Sequence, residues 1–144
     1  MASVLKISEA AALAMHAVAM LAGEESEDPV PTHTIADNLL CSEAHLSKVL
    51  QRLTKSGILG ATRGPRGGFF LDRPANKISL LEIYEAIDGE LPEEACLFDD
   101  PLCSQSACLL GRLLRDINKT VRNRLKDATL DILDCAHWRS TLLT

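Results

Sequence analysis

Aromatic side chains and long apolar runs are both scarce in this sequence. Only five of the 144 residues are aromatic, and the apolar content of 47% consists mostly of alanine and leucine. This composition favours helices over a β-sandwich, because strands are enriched in aromatic and β-branched residues. The longest apolar run, residues 10–22, is interrupted by His16 and has 13 residues, which is too short to cross a bilayer. We therefore expect no membrane partner.

Familiar catalytic motifs are lacking as well. The chain has no H-E-x-x-H, P-loop or G-x-G-x-x-G pattern and no Ser/His/Asp arrangement, so we expect neither an enzyme nor a small-molecule substrate.

Glu9 and His16 argue against a secretory signal around the apolar run, so we expect a cytoplasmic protein. Because thiols stay reduced there, the five cysteines predict metal or redox ligands rather than a disulfide framework.

Positive charge is concentrated in one block of an acidic chain. The formal net charge is −5, yet residues 42–77 carry seven bases against two acids, a net of +5. Residues 1–41 and 78–144 each carry a net of −5, and residues 78–111 contain eight acids and no Lys or Arg. Charge alone does not separate a DNA-binding surface from a solvated face, so the local structure of the block decides between them.

The basic block begins within a predicted helix-turn-helix. A short helix is predicted from about Thr34 to Leu40, and a second helix is predicted to follow the cap Ser42 and to stop at Gly57. The second helix has one apolar stripe, and its other side chains can reach phosphates and base edges if it enters a major groove. The candidate DNA contacts on this helix are Ser42, His45, Ser47, Lys48 and Arg52.

A two-strand pattern, T-R-G-P-R-G-G-F-F-L, comes directly after the second helix. The glycines at its tip permit positive φ and close backbone approach, and Arg63 and Arg66 place positive charge at the end of the ribbon. An ordinary hairpin is the alternative. Two arginines beside a basic helix favour a DNA-binding wing, so both are candidate DNA contacts.

Capping residues predict two further helices outside the basic block. Ser8 is predicted to cap a first helix that Gly23 ends. Ser79 and Glu82 form an S-x-x-E capping box, which predicts a helix that Gly89 closes.

The last part of the chain predicts one long amphipathic helix, from about Cys108 to Cys135. A helix of about 25 residues projecting beyond a small core would bury its apolar stripe against a second copy, which predicts a homodimer. Packing on the chain's own first helix is a compatible alternative. The stripe comprises Leu110, Leu114, Ile117, Val121, Leu125, Ala128 and Ile132.

Three cysteines, Cys96, Cys103 and Cys108, lie within a window of 13 residues, with six and four residues between them. Three thiolates from one polar loop can bind a soft metal ion or an iron–sulfur cluster. The spacing lacks the C-x-x-C pair usual in structural zinc sites, which disfavours zinc. Cys41 and Cys135 are interpreted as packing residues.

In this order, these segments resemble the Rrf2 family of bacterial transcription regulators. The most specific parts of the resemblance are H-L-S-K-V-L-Q-R-L, the R-G-x-x-G-G wing and the cysteine trio before the last helix. The resemblance implies a mainly α fold with a small β-wing. It implies a winged helix-turn-helix DNA-binding domain over residues 1–89, a cysteine-bearing cluster loop over 90–108, and a dimerisation helix with a C-terminal tail over 109–144.

The family includes an iron–sulfur cluster regulator and a nitric-oxide-sensitive repressor. The resemblance therefore implies a homodimeric repressor that binds a roughly palindromic double-stranded operator and carries a 2Fe-2S or 4Fe-4S cluster on the cysteine trio. Arg63 matches the wing arginine that enters the minor groove in the family. Ser47 stands where the cluster-assembly regulator has a base-reading glutamate, so that operator preference does not carry over.

The fourth cluster ligand differs within the family. His16 matches a histidine that one redox-sensing member uses as a ligand across the dimer. Gly111 and Ala12 stand where other members have a ligating histidine or acid. The alternatives to His16 in this chain are Glu9, Asp99, Asp100 or water.

Two functions follow from these residues. The first is a repressor whose DNA affinity changes when an iron–sulfur cluster is oxidised, lost or nitrosylated. The second is a metal-free thiol switch on the same fold, in which two cysteines of the trio form a disulfide under oxidative stress.

Overall fold

The computed structural model describes residues 5–23, 28–91, 96, 98, 100 and 108–132. Its helices and strands, in chain order, are α1 (Glu9–Ala22), α2 (Thr32–Leu39), α3 (Glu43–Lys55), β1 (Leu59–Thr62), β2 (Gly68–Leu71), α4 (Leu80–Asp88) and α5 (Leu109–Asp127). Short 3-10 turns lie at Ala75–Lys77 and Leu130–Ile132. Within the described ranges, no helix has the length and apolar character needed to cross a membrane.

The helices pack around one apolar core. α1 lies against α3 and α4, α2 lies against α3, and α5 lies against α4. Every buried side chain among the described residues is apolar, so burial drives this packing without a buried polar network. α3 contributes four buried residues from one side, which places its opposite side in solvent. These four residues are Leu46, Val49, Leu50 and Leu53.

Side-chain caps begin α1 and α4 where the sequence predicts them. The hydroxyl of Ser8 accepts a hydrogen bond from the backbone N–H of Ala11 at 3.0 Å. Ser79 and Glu82 each accept a backbone N–H from the other, at 3.2 and 3.1 Å, which confirms the capping box. Both caps satisfy amide groups that a helix leaves without partners in its first turn.

α2 begins at Thr32, two residues before the predicted start. The carbonyl oxygen of Pro31 accepts the backbone N–H groups of Thr34 and Ile35 at 3.1 and 3.2 Å. The pyrrolidine ring fixes φ of Pro31 near its observed −63°, so the backbone before the helix is constrained without a side-chain cap.

The two strands form the predicted ribbon. They pair antiparallel, with Leu59 opposite Leu71 and Thr62 opposite Gly68. Val30 forms a β-bridge with β2, because it exchanges two 2.9 Å backbone hydrogen bonds with Phe69. A Cβ on Gly68 would lie 2.4 Å from the Val30 carbonyl, so this close approach requires glycine.

The predicted length of the last helix is wrong. α5 ends at Asp127 instead of Cys135, because the chain after it pairs with the segment before α4. The N–H of Leu80 donates to the Ala128 carbonyl at 2.9 Å, and the N–H of Leu130 donates to the Ile78 carbonyl at 3.1 Å. Leu130 is 1% exposed, so its burial in the core accompanies this pairing. Ala128 and the 3-10 turn therefore lie beyond the amphipathic helix.

Leu40 adopts an unusual backbone conformation in the turn between α2 and α3. Its φ of 52° and ψ of 43° are left-handed, and its side chain is 84% exposed. The turn is held by a 3.1 Å hydrogen bond from the N–H of Cys41 to the carbonyl of Ala36. A Cβ in this region costs about 1–2 kcal/mol, and the exposed leucine side chain regains little of that by burial.

We therefore expect Leu40→Asn to raise the free energy of unfolding by about 1 kcal/mol, because asparagine tolerates the left-handed region better. Leu39→Asn is the matched control, since Leu39 packs against the core and its loss should be destabilising. Urea denaturation of the three proteins measures both effects. Equal destabilisation by the two substitutions would contradict the strain at Leu40.

Candidate nucleic-acid interface and cysteine site

The exposed side of α3 carries hydroxyl and basic groups. The Ser42 hydroxyl caps α3 by accepting the N–H of His45 at 3.4 Å, and the Gln51 amide donates to the Ser47 hydroxyl at 3.4 Å. A serine hydroxyl that accepts in this way can still donate its own hydrogen. Lys48 is exposed and forms no ion pair with any residue that the structure describes. This side of the helix therefore offers both hydrogen-bond donors and positive charge.

The wing continues directly from α3. Gly57, at a φ of 82°, reverses the chain, and the N–H of Ile58 donates to the Leu53 carbonyl at 3.1 Å. Arg63 and Arg66 are exposed in the turn between β1 and β2, where neither pairs with a described acid. We use the term α3–wing surface for a set of polar and basic residues of these two elements, all exposed except Ser47, which is half-buried. They are Ser42, His45, Ser47, Lys48, Lys55, Arg63 and Arg66.

Arg73 belongs to the basic block but not to the α3–wing surface. Both of its Nη atoms lie 3.1 Å from Oε1 of Glu82, so it ties the segment after the wing to the start of α4. Partial burial raises the pKa of Glu82, but hydrogen bonds from Ser79 and Arg73 outweigh it and hold that pKa below its ordinary value. The ion pair is partly exposed, so its role here is to orient rather than to add much stability.

Arg52 is also engaged within the fold. Its Nη1 atom donates to the carbonyl oxygen of Ile87, near the end of α4, at 3.3 Å. The structure therefore directs this candidate DNA contact toward α4.

A second basic surface lies on α5, and the charge count over residues 78–144 concealed it. α5 carries six bases against two acids. Five of the bases recur at spacings of three and four residues, which places them on one face of the helix. Helical periodicity applied to charge as well as to apolar residues is the signal that would have found it. The five are Arg112, Arg115, Lys119, Arg122 and Lys126.

The structure places two cysteines of the trio. Cys96 and Cys108 are half-buried, whereas Cys103 and the alternative ligand Asp99 lie outside the described residues. Cys108 caps α5, because its Sγ accepts the backbone N–H of Gly111 at 3.3 Å. This hydrogen bond fixes the position of the Sγ atom at the start of α5.

Cys41 behaves as the packing residue that the sequence indicates. It is half-buried against the core in the turn before α3. Burial, and then the charge of Glu9, raises the pKa of its thiol. Cys135, the other cysteine interpreted in this way, lies outside the described residues.

His16 is exposed on α1, and its ring is oriented by its own helix. Nδ1 lies within hydrogen-bond distance of the Ala12 carbonyl, to which it can only donate. In the neutral ring this leaves Nε2 unprotonated, which is the tautomer that binds a metal through Nε2.

The candidate ligands supply thiol, imidazole and carboxylate donors. Glu9 and Asp100, two alternative fourth ligands, are exposed. Within the ranges that the structure describes, no three His, Cys, Asp or Glu side chains form a group that could hold a metal ion. Thiols are the ligands that iron–sulfur clusters prefer, so the cysteine trio fits such a cluster by its chemistry.

Comparisons with known proteins agree with this architecture. The Rrf2 family, described as iron-dependent transcriptional regulators, matches residues 7–134. The transcriptional regulator IscR of Pectobacterium carotovorum is 28% identical over 129 residues, which cover 90% of this chain and 79% of that protein.

Two solved structures show the same fold. CymR, the global cysteine regulator of B. subtilis, superposes with a TM-score of 0.73 at 23% identity, covering 88% of this chain and 94% of CymR. IscR of T. potens gives a TM-score of 0.71 at 23% identity, covering 88% of this chain and 84% of that one. The mainly α fold with a small wing is therefore confirmed as a winged helix.

Proposed function

The chain belongs to the Rrf2 family of transcriptional regulators, and from this premise we propose that it is a dimeric repressor that binds operator DNA through the α3–wing surface. Regulators of this family act by binding DNA, and the chain is not an enzyme. One observation carries the assignment to this surface. Lys48, Arg63 and Arg66 are exposed, and no residue that the structure describes neutralises them.

The geometry of a winged helix gives each part of this surface a role. An α-helix fits the major groove of B-DNA, where the side chains of α3 would meet base edges and phosphates. The wing arginines would lie over the adjacent minor groove, whose negative potential is strongest where it is narrow. Ser42 and Ser47 would donate hydroxyl hydrogens, while Lys48 would neutralise phosphate charge.

A second copy is needed to read a palindromic operator, and α5 supplies a surface for it. Leu109, Leu110 and Leu113 are 73%, 53% and 53% exposed, although they are large and apolar. Further along the helix, Val121 and Leu125 pack against the core of their own chain. Val121 and Leu125 of the predicted dimer stripe therefore face their own chain. Leu110 of the stripe, together with Leu109 and Leu113 from outside it, would bury against a partner.

Cys96, Cys103 and Cys108 would hold an iron–sulfur cluster, with His16 of the partner subunit as the fourth ligand. The support is the soft thiol donors, the amide hydrogen bond to Cys108 and the relationship to IscR. When bound, such a cluster supplies a group whose state responds to oxidation, nitric oxide or iron–sulfur supply. Cys96 and Cys108 both lie in the segment that joins α4 to α5, and Cys108 directly precedes α5, so changes in their ligation would act on the start of α5.

A metal-free thiol switch is the second candidate, and one comparison favours it. The B. subtilis structure that shares this fold is a global cysteine regulator. In this alternative, two cysteines of the trio are oxidised to a disulfide and the two electrons pass to an oxidant such as a peroxide. Visible absorbance and the iron and sulfide content of anaerobically purified protein separate the two candidates.

We expect Arg63→Ala to weaken operator binding by about 1–3 kcal/mol, because it removes a guanidinium from the minor groove. Lys48→Ala should lower affinity more evenly across DNA sequences, since a phosphate contact carries little sequence information. Fluorescence anisotropy at fixed salt measures both. Arg112→Ala, on the basic face of α5, is the control expected to bind normally. Normal affinity of both the Arg63→Ala and the Lys48→Ala protein would refute the proposal that DNA binds the α3–wing surface.

The dimer prediction uses the exposed leucines. Leu110→Asp and Leu113→Asp should each shift the protein from dimer to monomer, because each places an unpaired charge in a surface that becomes dry on association. The chain should remain folded, since both side chains are exposed in the single copy. Sedimentation velocity measures the oligomeric state, with Asn123→Asp on the same helix as the control. Intact dimers in both leucine variants would place the interface elsewhere.

We expect the loss of the cluster to depend on which proposed ligand is replaced. Replacing Cys96, Cys103 or Cys108 by Ala should abolish stable cluster retention, because three thiolates and one weaker ligand leave no spare anchor. His16→Ala should shift the visible spectrum and make the cluster labile while the fold stays intact.

Cys41→Ala and Cys135→Ala are the matched controls, and both should retain the cluster. The measurement is iron and sulfide content after anaerobic purification, together with the visible spectrum. A Cys103→Ala protein with full iron and sulfide content would refute the ligand set.

A further inference from the structure

Arg52 lies on the flank of α3 rather than at the centre of its exposed side. Lys48 and Lys55 are seven residues apart and therefore share one row of the helix. Arg52 follows Lys48 by four residues, which rotates it by about 40° toward the side of the buried Val49. Its guanidinium reaches the end of α4, where Nη1 donates to the Ile87 carbonyl at 3.3 Å.

The acceptor of this bond suits a cation. α4 ends at Asp88, so the Ile87 carbonyl is one of the last four of the helix, which have no partner within it. These carbonyls also form the negative end of the helix dipole, which attracts a guanidinium. Arg52 therefore satisfies a carbonyl that helix geometry leaves open.

The end of α4 is itself held from two other directions. The backbone N–H of Ser8 donates to the Asp88 carboxylate at 3.0 Å, and the Ser8 hydroxyl binds the same carboxylate. From α5, Arg122 donates to Glu85 at 3.3 Å and to the Leu91 carbonyl at 2.9 Å. The bond from Arg52 therefore joins α3 to a point that α1 and α5 already fix.

We propose that Arg52 is a positioning residue for DNA recognition: it sets the angle of α3 against the end of α4 instead of binding phosphate. This assignment rests on the proposed function of the α3–wing surface. Base readout needs side chains placed to within about 0.5 Å, whereas attraction to phosphates tolerates larger displacements. Loss of the bond should therefore affect selective binding and leave unselective binding unchanged.

The test compares Arg52→Ala with Lys55→Ala and the wild type in the full-length protein. The probes are a duplex selected from random DNA by the wild type and a scrambled duplex of the same composition. Binding is measured from 50 to 300 mM salt, and thermal unfolding shows that each variant is folded.

We expect Arg52→Ala to reduce the preference for the selected duplex about three- to tenfold. This ratio corresponds to the free energy of one hydrogen bond. Its affinity for the scrambled duplex and its salt slope should stay at wild-type values. Lys55→Ala should instead weaken both duplexes together and make the salt slope shallower by about 0.9 per bound protomer, as a lost phosphate contact does.

Two results would overturn the assignment of Arg52. One is a salt slope that falls with Arg52→Ala as it does with Lys55→Ala, which would make Arg52 a phosphate contact. The other is a folded Arg52→Ala protein with wild-type preference. A wild type that selects no duplex would instead refute the proposed function, and the assignment of Arg52 with it.

Discussion

The burial of one side of α3 determines what this protein can present to a partner. Four apolar side chains of the helix are at most 3% exposed, and three other helices and the wing are arranged around them. Because they fix the rotation of the helix about its axis, Lys48 and Lys55 face solvent, while Arg52 reaches the end of α4. The position of the wing is fixed together with that of α3, since β1 starts directly after the turn that ends α3.

The charges of the basic block are divided between those that bind other parts of the fold and those that do not. Arg73 pairs with Glu82, and Arg52 binds the end of α4. Both therefore join α3 and the segment after the wing to the acidic helix α4. Lys48, Arg63 and Arg66 are left without described partners, so the net charge of the block overstates the charge available to DNA. α4 in turn contacts α5, the helix that Cys108 caps, through the ion pair of Glu85 with Arg122.

The sequence was most informative where one residue or a short motif determines the local backbone. Ser8, Ser79 and Glu82 set helix starts, and the wing glycines permit the approach of Val30 to Gly68. It was least informative where distant segments meet. The pairing of residues 128–130 with 78–80 ends α5 early, and apolar periodicity carries no sign of such a contact. The partners of Arg52 and Arg122 are likewise tertiary, and helical spacing carries no sign of either contact. The cysteine trio was predicted as a set, and the structure places Cys96 and Cys108 of it.

The central proposal is that DNA binds the α3–wing surface rather than the basic face of α5. Lysine acetylation of the folded protein, read by mass spectrometry with and without duplex DNA, tests this directly, because both surfaces carry exposed lysines. Lys48 and Lys55 should become protected by DNA, while Lys119 and Lys126 should react as in the free protein. Protection of Lys119 and Lys126, with Lys48 left reactive, would contradict the account.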